Sequence, residues 1–312
     1  MSDAIARLAP DESEAPPLSL RQLAWRRFRR HKLALLGVVV LILLVGYAFG
    51  PTVFLSEDYA NHTDTTLRLS PPSPAHPFGT DTVGRDILAR TIYGGQISIM
   101  IGLTAALLEV LVGILIGAAA GYYGHAVDAV LMRFTEVMLN IPQIFLLIVM
   151  AKFFSGGIPE IHLLGQTYSG SVIVIVLIIG LTSWPYLARI VRAEFLSIKE
   201  RDFILAARAT GTPAHQIIFG HILPNSVAPI VVSATLGVAN AITLEAYISF
   251  LGLGVRPPTA TWGNMLDGAY NYIESAYWLW LFPGLLIVLV VLSINFLGDG
   301  LRDALDPRSS IL

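Results

Sequence analysis

Three glutamates are the first candidates for chemistry in this sequence. Glu109, Glu136 and Glu245 interrupt or border apolar runs that otherwise lack charge. An ionisable side chain at membrane depth usually faces the interior of a helix bundle or a water-filled path. These carboxylates therefore either line a pathway or relay protons, or they make polar contacts with a neighbouring helix or a partner chain. We favour polar contacts.

A second group of charges precedes the second long apolar run. Asp81, Arg85 and Asp86 lie close together in a segment rich in proline. Such a cluster either pairs internally within a loop or receives another protein through charge complementarity. We favour internal pairing and keep the docking role as the alternative.

The sequence offers no catalytic or metal-binding constellation. It contains no cysteine, which excludes disulfides, thiolate catalysis and cysteine-based metal sites. His215 and His221 are six residues apart, whereas a helical zinc pair needs a spacing of four. No Ser-His-Asp arrangement can be argued either. The expectation is therefore a protein that is not an enzyme and that holds no metal.

Membrane helices are the elements that position these residues. Of the 312 residues, 54% are hydrophobic and 13% are charged, against about 25% charged in a soluble domain. A spanning helix needs about 20 apolar residues, and six runs qualify. The prediction is an all-α polytopic membrane protein with spans at residues 33–54, 95–121, 128–154, 170–190, 226–249 and 278–298. The first run is an anchor rather than a signal peptide, because its uncharged length exceeds a signal core.

The distribution of basic residues predicts the orientation. Most of the 20 lysines and arginines fall on the side that holds both termini, which makes that side cytoplasmic. The net charge of −2 gives no reason to expect nucleic acid. The predicted organisation is a cytoplasmic tail disordered over its first 20 residues (1–32), a first membrane helix (33–54), an external segment (55–94), a membrane core (95–298) and a cytoplasmic tail (299–312).

Residues 201–224 predict two helices joined by a sharp turn, between the fourth and fifth spans. Gly211 can take the left-handed conformation that ends a helix. Thr212 can then cap the second helix, with Pro213 in its first turn. Pro224 is expected to end that helix before the fifth span. Such an element at the membrane edge is either a docking site or an amphipathic loop lying on the interface.

The same stretch resembles the EAA motif of ABC importer permeases. Its two departures are Leu205, where glutamate is usual, and His221, where isoleucine is usual. The residues that match or occupy the motif are Asp202, Ala206, Ala207, Gly211, His221, Leu223 and Pro224. Three further stretches resemble the second permease of dipeptide and oligopeptide importers: HPFGTDTVGRDILARTIYGG (76–95), SFLGLGVRPPTATWGNML (249–266) and FPGLLIVLVVLSINFLGDGLRDALDPR (282–308).

This resemblance implies a type I ABC importer permease fold in a cell membrane, with residues 190–225 as the ATPase-coupling loop. It implies a homologous second permease, two ATPase subunits and an external substrate-binding protein as partners, and Asp81, Arg85 and Asp86 could face that binding protein. ATP and Mg²⁺ would bind the ATPase subunits, and this chain would hold no cofactor. The absence of GxxxxGK[ST] from the sequence fits that division of labour.

Several alternatives stay open at this point. The same architecture could import nickel complexes, glutathione or oligosaccharides instead of peptides, because specificity in such systems lies mostly in the binding protein. An ion-gradient-driven secondary transporter would work without an ATPase and would show internal repeats, of which no convincing one is present. A membrane enzyme ranks lowest, because no catalytic constellation can be argued.

Overall fold

A computed structural model describes residues 20–154, 159, 161–163 and 166–306. The predicted disorder at the start of the chain lies outside these residues, apart from residue 20, and so does the tail from residue 307. The helices are α1 (Leu20–Phe28), α2 (Lys32–Phe49), α3 (Glu57–Asn61), α4 (Ile87–Tyr123), α5 (His125–Asn140), α6 (Gln143–Phe154), α7 (Gly170–Ile198), α8 (Asp202–Ala209), α9 (Ala214–Gln216), α10 (Leu223–Asn225), α11 (Val227–Phe250) and α12 (Trp278–Leu305).

Short elements complete the described chain. One antiparallel hairpin pairs β1 (Ile161–Leu163) with β2 (Gln166–Tyr168) between α6 and α7. It is a small addition to an otherwise all-α fold. Single 3₁₀ turns lie at Pro51–Val53, Thr65–Leu67, Asn264–Leu266 and Ala269–Tyr272.

The predicted membrane architecture is confirmed. Helices α2, α4, α7, α11 and α12 are each long and apolar enough to cross a membrane, and the bent pair α5–α6 makes a sixth span if it is counted as one. Several helices extend beyond the predicted limits. Helix α4 begins at Ile87 rather than at residue 95, α7 ends at Ile198 rather than 190, and α12 ends at Leu305 rather than 298.

The third span is not the continuous helix predicted over residues 128–154. Helices α5 and α6 meet at 86°, and Ile141 between them is extended (φ −80°, ψ 122°). Pro142 explains the break, because proline lacks an N–H group and disfavours the helical conformation in the residue before it. The predicted third span is therefore a bent pair of helices, and Ile141-Pro142 is the sequence signal for the bend.

A row of glycines lets α4 and α7 pack side by side. A Cβ added at Gly113 would lie 3.0 Å from the Leu187 Cβ, and one added at Gly121 would lie 2.5 Å from the Phe195 Cβ. Gly117 stands between them on the same face. Because the contacting residue numbers increase together along both helices, α4 and α7 run parallel. Small residues that allow such close approach are typical of helix pairs in membranes.

The segment between α11 and α12 folds back onto the start of α4. Trp262 is fully buried, and its indole N–H donates a hydrogen bond to the Thr91 carbonyl at 2.8 Å. The indole of Trp278 donates to the Thr80 carbonyl at 3.1 Å. We call this end of the bundle the loop end. The other end, where α4 and α7 finish and α8 begins, is the α8 end.

Candidate functional site

Helix α8 ends in the motif that glycine makes possible. Gly211 has φ of +76°, and the backbone N–H of Thr212 donates to the Ala207 carbonyl at 3.1 Å. The N–H of Gly211 donates to the Arg208 carbonyl at 3.0 Å. This pair of bonds is a Schellman motif, which satisfies carbonyls of the last turn. The predicted left-handed conformation of Gly211 is confirmed.

The start of the next helix differs from the prediction by one residue. Pro213 occupies the capping position in an extended conformation (φ −68°, ψ 150°), and helical residues begin at Ala214. Thr212 was expected to cap this helix, but the helix start has no side-chain cap bond. The Schellman motif already uses the backbone of Thr212, which moves the helix start forward.

The sequence predicts that Pro224 ends the second helix, but the structure shows that it does not. The backbone widens into a π-helical segment over Ile217–Ile222, in which the N–H of Leu223 donates to the Ile218 carbonyl. It then continues through α10 and enters α11 at Val227. A π turn changes the hydrogen-bond register of a helix, so the missing N–H of the proline is accommodated and the loop runs directly into the fifth span.

One side of this helical loop packs against the bundle. Ile204, Ile217 and Ile222 are at most 1% exposed. They belong to one hydrophobic cluster with Leu187 and Phe195 of α7. Burying large aliphatic side chains contributes roughly 1.5–3 kcal/mol each. The loop is therefore a fixed part of the bundle rather than a free connection.

The loop also leaves apolar side chains exposed to its surroundings. Phe203, Leu205 and Phe219 are 42%, 45% and 58% exposed. Ala206 is exposed beside them, and we call these four residues the α8 face. Of the other residues matched to the EAA motif, Asp202, Gly211 and Pro224 are exposed, whereas Ala207, His221 and Leu223 are half-buried.

Polar contacts fasten the loop and the end of α7 to the rest of the α8 end. The Arg208 guanidinium lies 5.4 Å from the centre of the Tyr122 ring on α4, within the range of a cation–π contact. Lys199 donates to the Gly121 carbonyl at 3.0 Å. Arg192 of α7 makes two hydrogen bonds with the Asp128 carboxylate of α5, one of them from Nη2 to Oδ2 at 2.6 Å.

A cavity of about 390 Å³ opens where α4, α7 and α11 meet the bend between α5 and α6. Glu109 borders it, which brings one of the three predicted glutamates to a solvent-accessible space. A second cavity of about 420 Å³ continues towards the end of α12. Both cavities are lined by Tyr186, Ser233 and Leu236. The two cavities are therefore neighbours along α7 and α11, between Glu109 and the α8 end.

The other two glutamates lie in different surroundings. Glu245 is fully buried, with Ser249 Oγ 2.6 Å and Ser98 Oγ 3.4 Å from its carboxylate oxygens. The Ser98 hydroxyl oxygen in turn accepts the Trp262 backbone N–H at 3.1 Å, so Glu245 fixes the loop end. Glu136 is exposed and pairs with Arg133 at 3.5 Å. In the described structure, Glu245 and Glu136 therefore both make polar contacts with side chains of this same chain.

The charged cluster at the loop end is split between two pairs. Arg85 Nε lies 2.6 Å from Asp81. Asp86 instead contacts His76 Nδ1 at 2.8 Å and accepts the Ala89 backbone N–H at 2.8 Å, capping the start of α4. Asp81 and Arg85 border a small surface cavity. Internal pairing therefore accounts for much of this cluster, and Asp86 stabilises the start of α4.

Sequence reasoning missed several residues that shape the site. The polar lining of the first cavity includes Gln143, Ser183 and Asn240, and Gln143 donates to the Ser183 hydroxyl at 2.9 Å. Asn240 lies inside a long uncharged run, so a polar amide at membrane depth was a usable signal. The contact between Tyr122 and Arg208 had no such signal, because it joins residues far apart in sequence.

The chain matches two families of transport proteins and resembles a solved transporter structure. Residues 113–311 match the model of the binding-protein-dependent transport system inner membrane component. Residues 19–72 match the model of the N-terminal TM domain of oligopeptide transport permease C. Among solved structures, the fold is similar to the inward-facing MetNI methionine ABC transporter, with a TM-score of 0.52 at 21% identity over 68% of this chain and 94% of that chain.

Individual relatives are similar over nearly their whole length. A protein of Brucella suis biovar 1 named as a peptide permease is 42% identical over 91% of this chain and 90% of that protein. The dipeptide transport system permease protein DppC of Alkalihalophilus pseudofirmus is 39% identical over 96% and 93%. The oligopeptide transport system permease protein OppC of Haemophilus influenzae is 37% identical over 96% and 92%.

Proposed function

The chain belongs to the family of binding-protein-dependent transport system inner membrane components, and on that premise we propose that it is a permease subunit of an ATP-driven peptide importer. The cargo class rests on one observation, the near full-length similarity to permeases named for dipeptides and oligopeptides. The chain itself is non-catalytic in this proposal. It forms the translocation pathway together with a homologous second permease.

The α8 face is the proposed seat of an ATPase subunit. Four observations support this assignment: the match to the EAA motif, the exposed apolar side chains, the fixed backbone of the loop and its attachment to α4. Leu205 replaces the usual glutamate, so the contact here is apolar where other permeases offer a carboxylate. ATP and Mg²⁺ bind the ATPase subunits and do not bind this chain.

The orientation follows from the positive-inside rule. The α8 end and both termini face the cytoplasm, and the loop end faces outward. An external substrate-binding protein would then deliver cargo at the loop end, where Asp81 and Arg85 border a surface cavity. The two neighbouring cavities along α7 and α11 mark the proposed route of the cargo from the membrane centre towards the cytoplasm.

Energy coupling in this proposal passes through α4. Closure of the ATPase dimer pushes α8, which the contact of Arg208 with Tyr122 joins to the end of α4. Helix α4 also carries Glu109 at the cavity and packs tightly on α7 through its glycines. A displacement of α8 therefore changes the walls of the cavity.

Purification of the tagged chain from its native membrane tests the proposal. Mild detergent should recover a second permease and two ATPase subunits, and proteoliposomes of this complex with its binding protein should accumulate a labelled dipeptide in the presence of ATP. Recovery of the chain alone, even after cross-linking, would contradict the ATP-driven importer. An intact complex that moves nickel complexes, glutathione or oligosaccharides but no peptide would overturn the cargo alone.

A further inference from the structure

Glu109 has no protein partner, unlike Asp86 and Glu245, the other buried carboxylates of the described chain. Its side chain belongs to a residue only 7% exposed, yet within the described part of the chain its carboxylate has neither a hydrogen bond nor an ion pair. No side-chain oxygen or nitrogen there is both fully buried and unbonded, so the Glu109 carboxylate keeps its small exposure to the cavity. Glu245, by contrast, has the serine partners described above.

The opposing helix makes room for this carboxylate. Gly237 of α11 lies directly against it, and an added Cβ there would come within 3.0 Å of the Glu109 Oε2. Thr182, Ser183 and Asn240 border the same cavity. Apart from Glu109, no charged side chain lines the cavity among the described residues. The space therefore combines one unpaired carboxylate with neutral hydrogen-bonding groups.

A carboxylate in such a place favours a cationic ligand. Burying a charge without a partner is costly, and the cost falls when an opposite charge enters. A metal ion fits poorly, because no group of three histidines, cysteines, aspartates or glutamates comes together in the described chain. A primary ammonium group needs only one carboxylate and neutral acceptors, which Glu109, Ser183 and Asn240 supply.

We propose that Glu109 is a binding residue for the N-terminal ammonium group of the peptide as it crosses the membrane. This inference rests on the proposed peptide cargo. A space of about 390 Å³ is within the usual range of small-ligand pockets. The second cavity, which continues towards the α8 end, leads the peptide onward once its amine leaves the carboxylate.

A charge-sensitive labelling experiment tests the site without any transport. The chain has no cysteine of its own, so Ser233→Cys or Leu236→Cys places this chain's single thiol on the cavity wall. The complex in native membranes is treated with a cationic or an anionic methanethiosulfonate, 2-(trimethylammonio)ethyl or 2-sulfonatoethyl. The cationic reagent should modify the cavity thiol about tenfold faster relative to the anionic one than it modifies a free thiol.

Removing the charge should abolish that preference. Glu109→Gln is expected to return the ratio of labelling rates to the free-thiol value, whereas Glu136→Gln, on an exposed glutamate outside the cavity, should leave it unchanged. If the ratio is the same with and without Glu109, the carboxylate carries no charge that a cationic ligand can use, and the proposal is overturned. Using two alternative thiol positions guards against a misfolded variant.

An uptake experiment then tests the ligand. Glu109→Gln should lower the rate of trialanine uptake about tenfold, while a des-amino analogue of trialanine should enter native and variant complexes at equal rates. Equal losses for both peptides would reduce Glu109 to a structural residue. If the native complex imports neither peptide, the proposed cargo fails, and the labelling ratio still decides whether a cation site exists.

Discussion

Arg208 of the helical loop lies over the ring of Tyr122 in the last turn of α4, with 5.4 Å between the guanidinium carbon and the ring centre. This contact joins the helical loop directly to the helix that borders the cavity. Cation–π contacts of this kind contribute about 0.5–2 kcal/mol. That amount is small for the stability of the whole bundle, but it is large enough to affect coupling between two parts of it.

Replacing Tyr122 by leucine should weaken coupling more than folding. The substitution keeps an apolar side chain but removes the ring beneath Arg208, so we expect uptake per ATP hydrolysed to fall about twofold to fivefold. The measurement compares peptide uptake with ATP hydrolysis in proteoliposomes. Tyr123→Leu is the matched control, because the neighbouring ring of Tyr123 is exposed and Arg208 lies over the ring of Tyr122 instead. Equal effects of the two variants would refute a role for the cation–π contact.

Gly211→Val should uncouple ATP hydrolysis from uptake through backbone strain. A side chain at Gly211 would meet nothing within 4 Å, but its φ of +76° is unfavourable for residues with a Cβ, by about 1–2 kcal/mol. The end of α8 should rearrange, and uptake should fall while hydrolysis continues. Gly220→Val is the control, because that glycine is equally open but lacks a positive φ. Coupled uptake at the native rate in Gly211→Val would contradict this role.

Breaking the pair of Arg192 and Asp128 should lower stability. The pair joins α5 to α7 through two charge-assisted bonds and is half-buried. Asp128→Asn should therefore cost about 1.5–3 kcal/mol, measured as a lower melting temperature of the detergent-purified complex. Glu136→Gln breaks the exposed pair with Arg133 and should cost at most about 1 kcal/mol. A melting temperature that falls equally in both variants would argue against a special contribution from the half-buried pair of Arg192 and Asp128.

Gly117→Leu should separate α4 from α7. An added Cβ at Gly117 would come 2.5 Å from the Ala188 carbonyl oxygen, and a backbone atom cannot rotate away. Overpacking of this kind costs about 1–3 kcal/mol or more, so we expect poor recovery of folded complex by size-exclusion chromatography. Gly284→Leu in α12, where a Cβ meets nothing within 4 Å, should be recovered normally. Normal recovery of both would show that α4 and α7 can move apart without loss.

The sequence was most informative where local chemistry decides the structure. Apolar length was enough for the spans, and Gly211 was identified because a left-handed helix end favours glycine. The errors at Pro142 and Pro224 have one cause. A proline removes an N–H group in both places, but the surrounding packing decided between a sharp bend at Pro142 and a π-helical segment ahead of Pro224. The periodicity of the sequence does not distinguish a sharp bend from a π-helical segment.

The cavity could not be predicted from the sequence, for a different reason. Glu109, Ser183 and Asn240 lie on three helices distant in sequence, and they form a site only after α4, α7 and α11 have packed. The favoured interpretation of all three glutamates as polar contacts fits the described contacts of Glu136 and Glu245. It does not fit Glu109, which lacks any such contact within the described chain.

The length of helix α4 allows binding at one end of the bundle to affect binding at the other. Its 37 residues extend about 55 Å, well beyond a hydrocarbon layer of about 30 Å. One end bonds Trp262 in the loop segment and the other meets Arg208. Binding events at the two ends that both act on this helix obey linkage, so each must change the affinity of the other by the same factor. In the proposed importer, a binding protein at the loop end and an ATPase subunit at the α8 face would therefore change each other's affinity by one common factor.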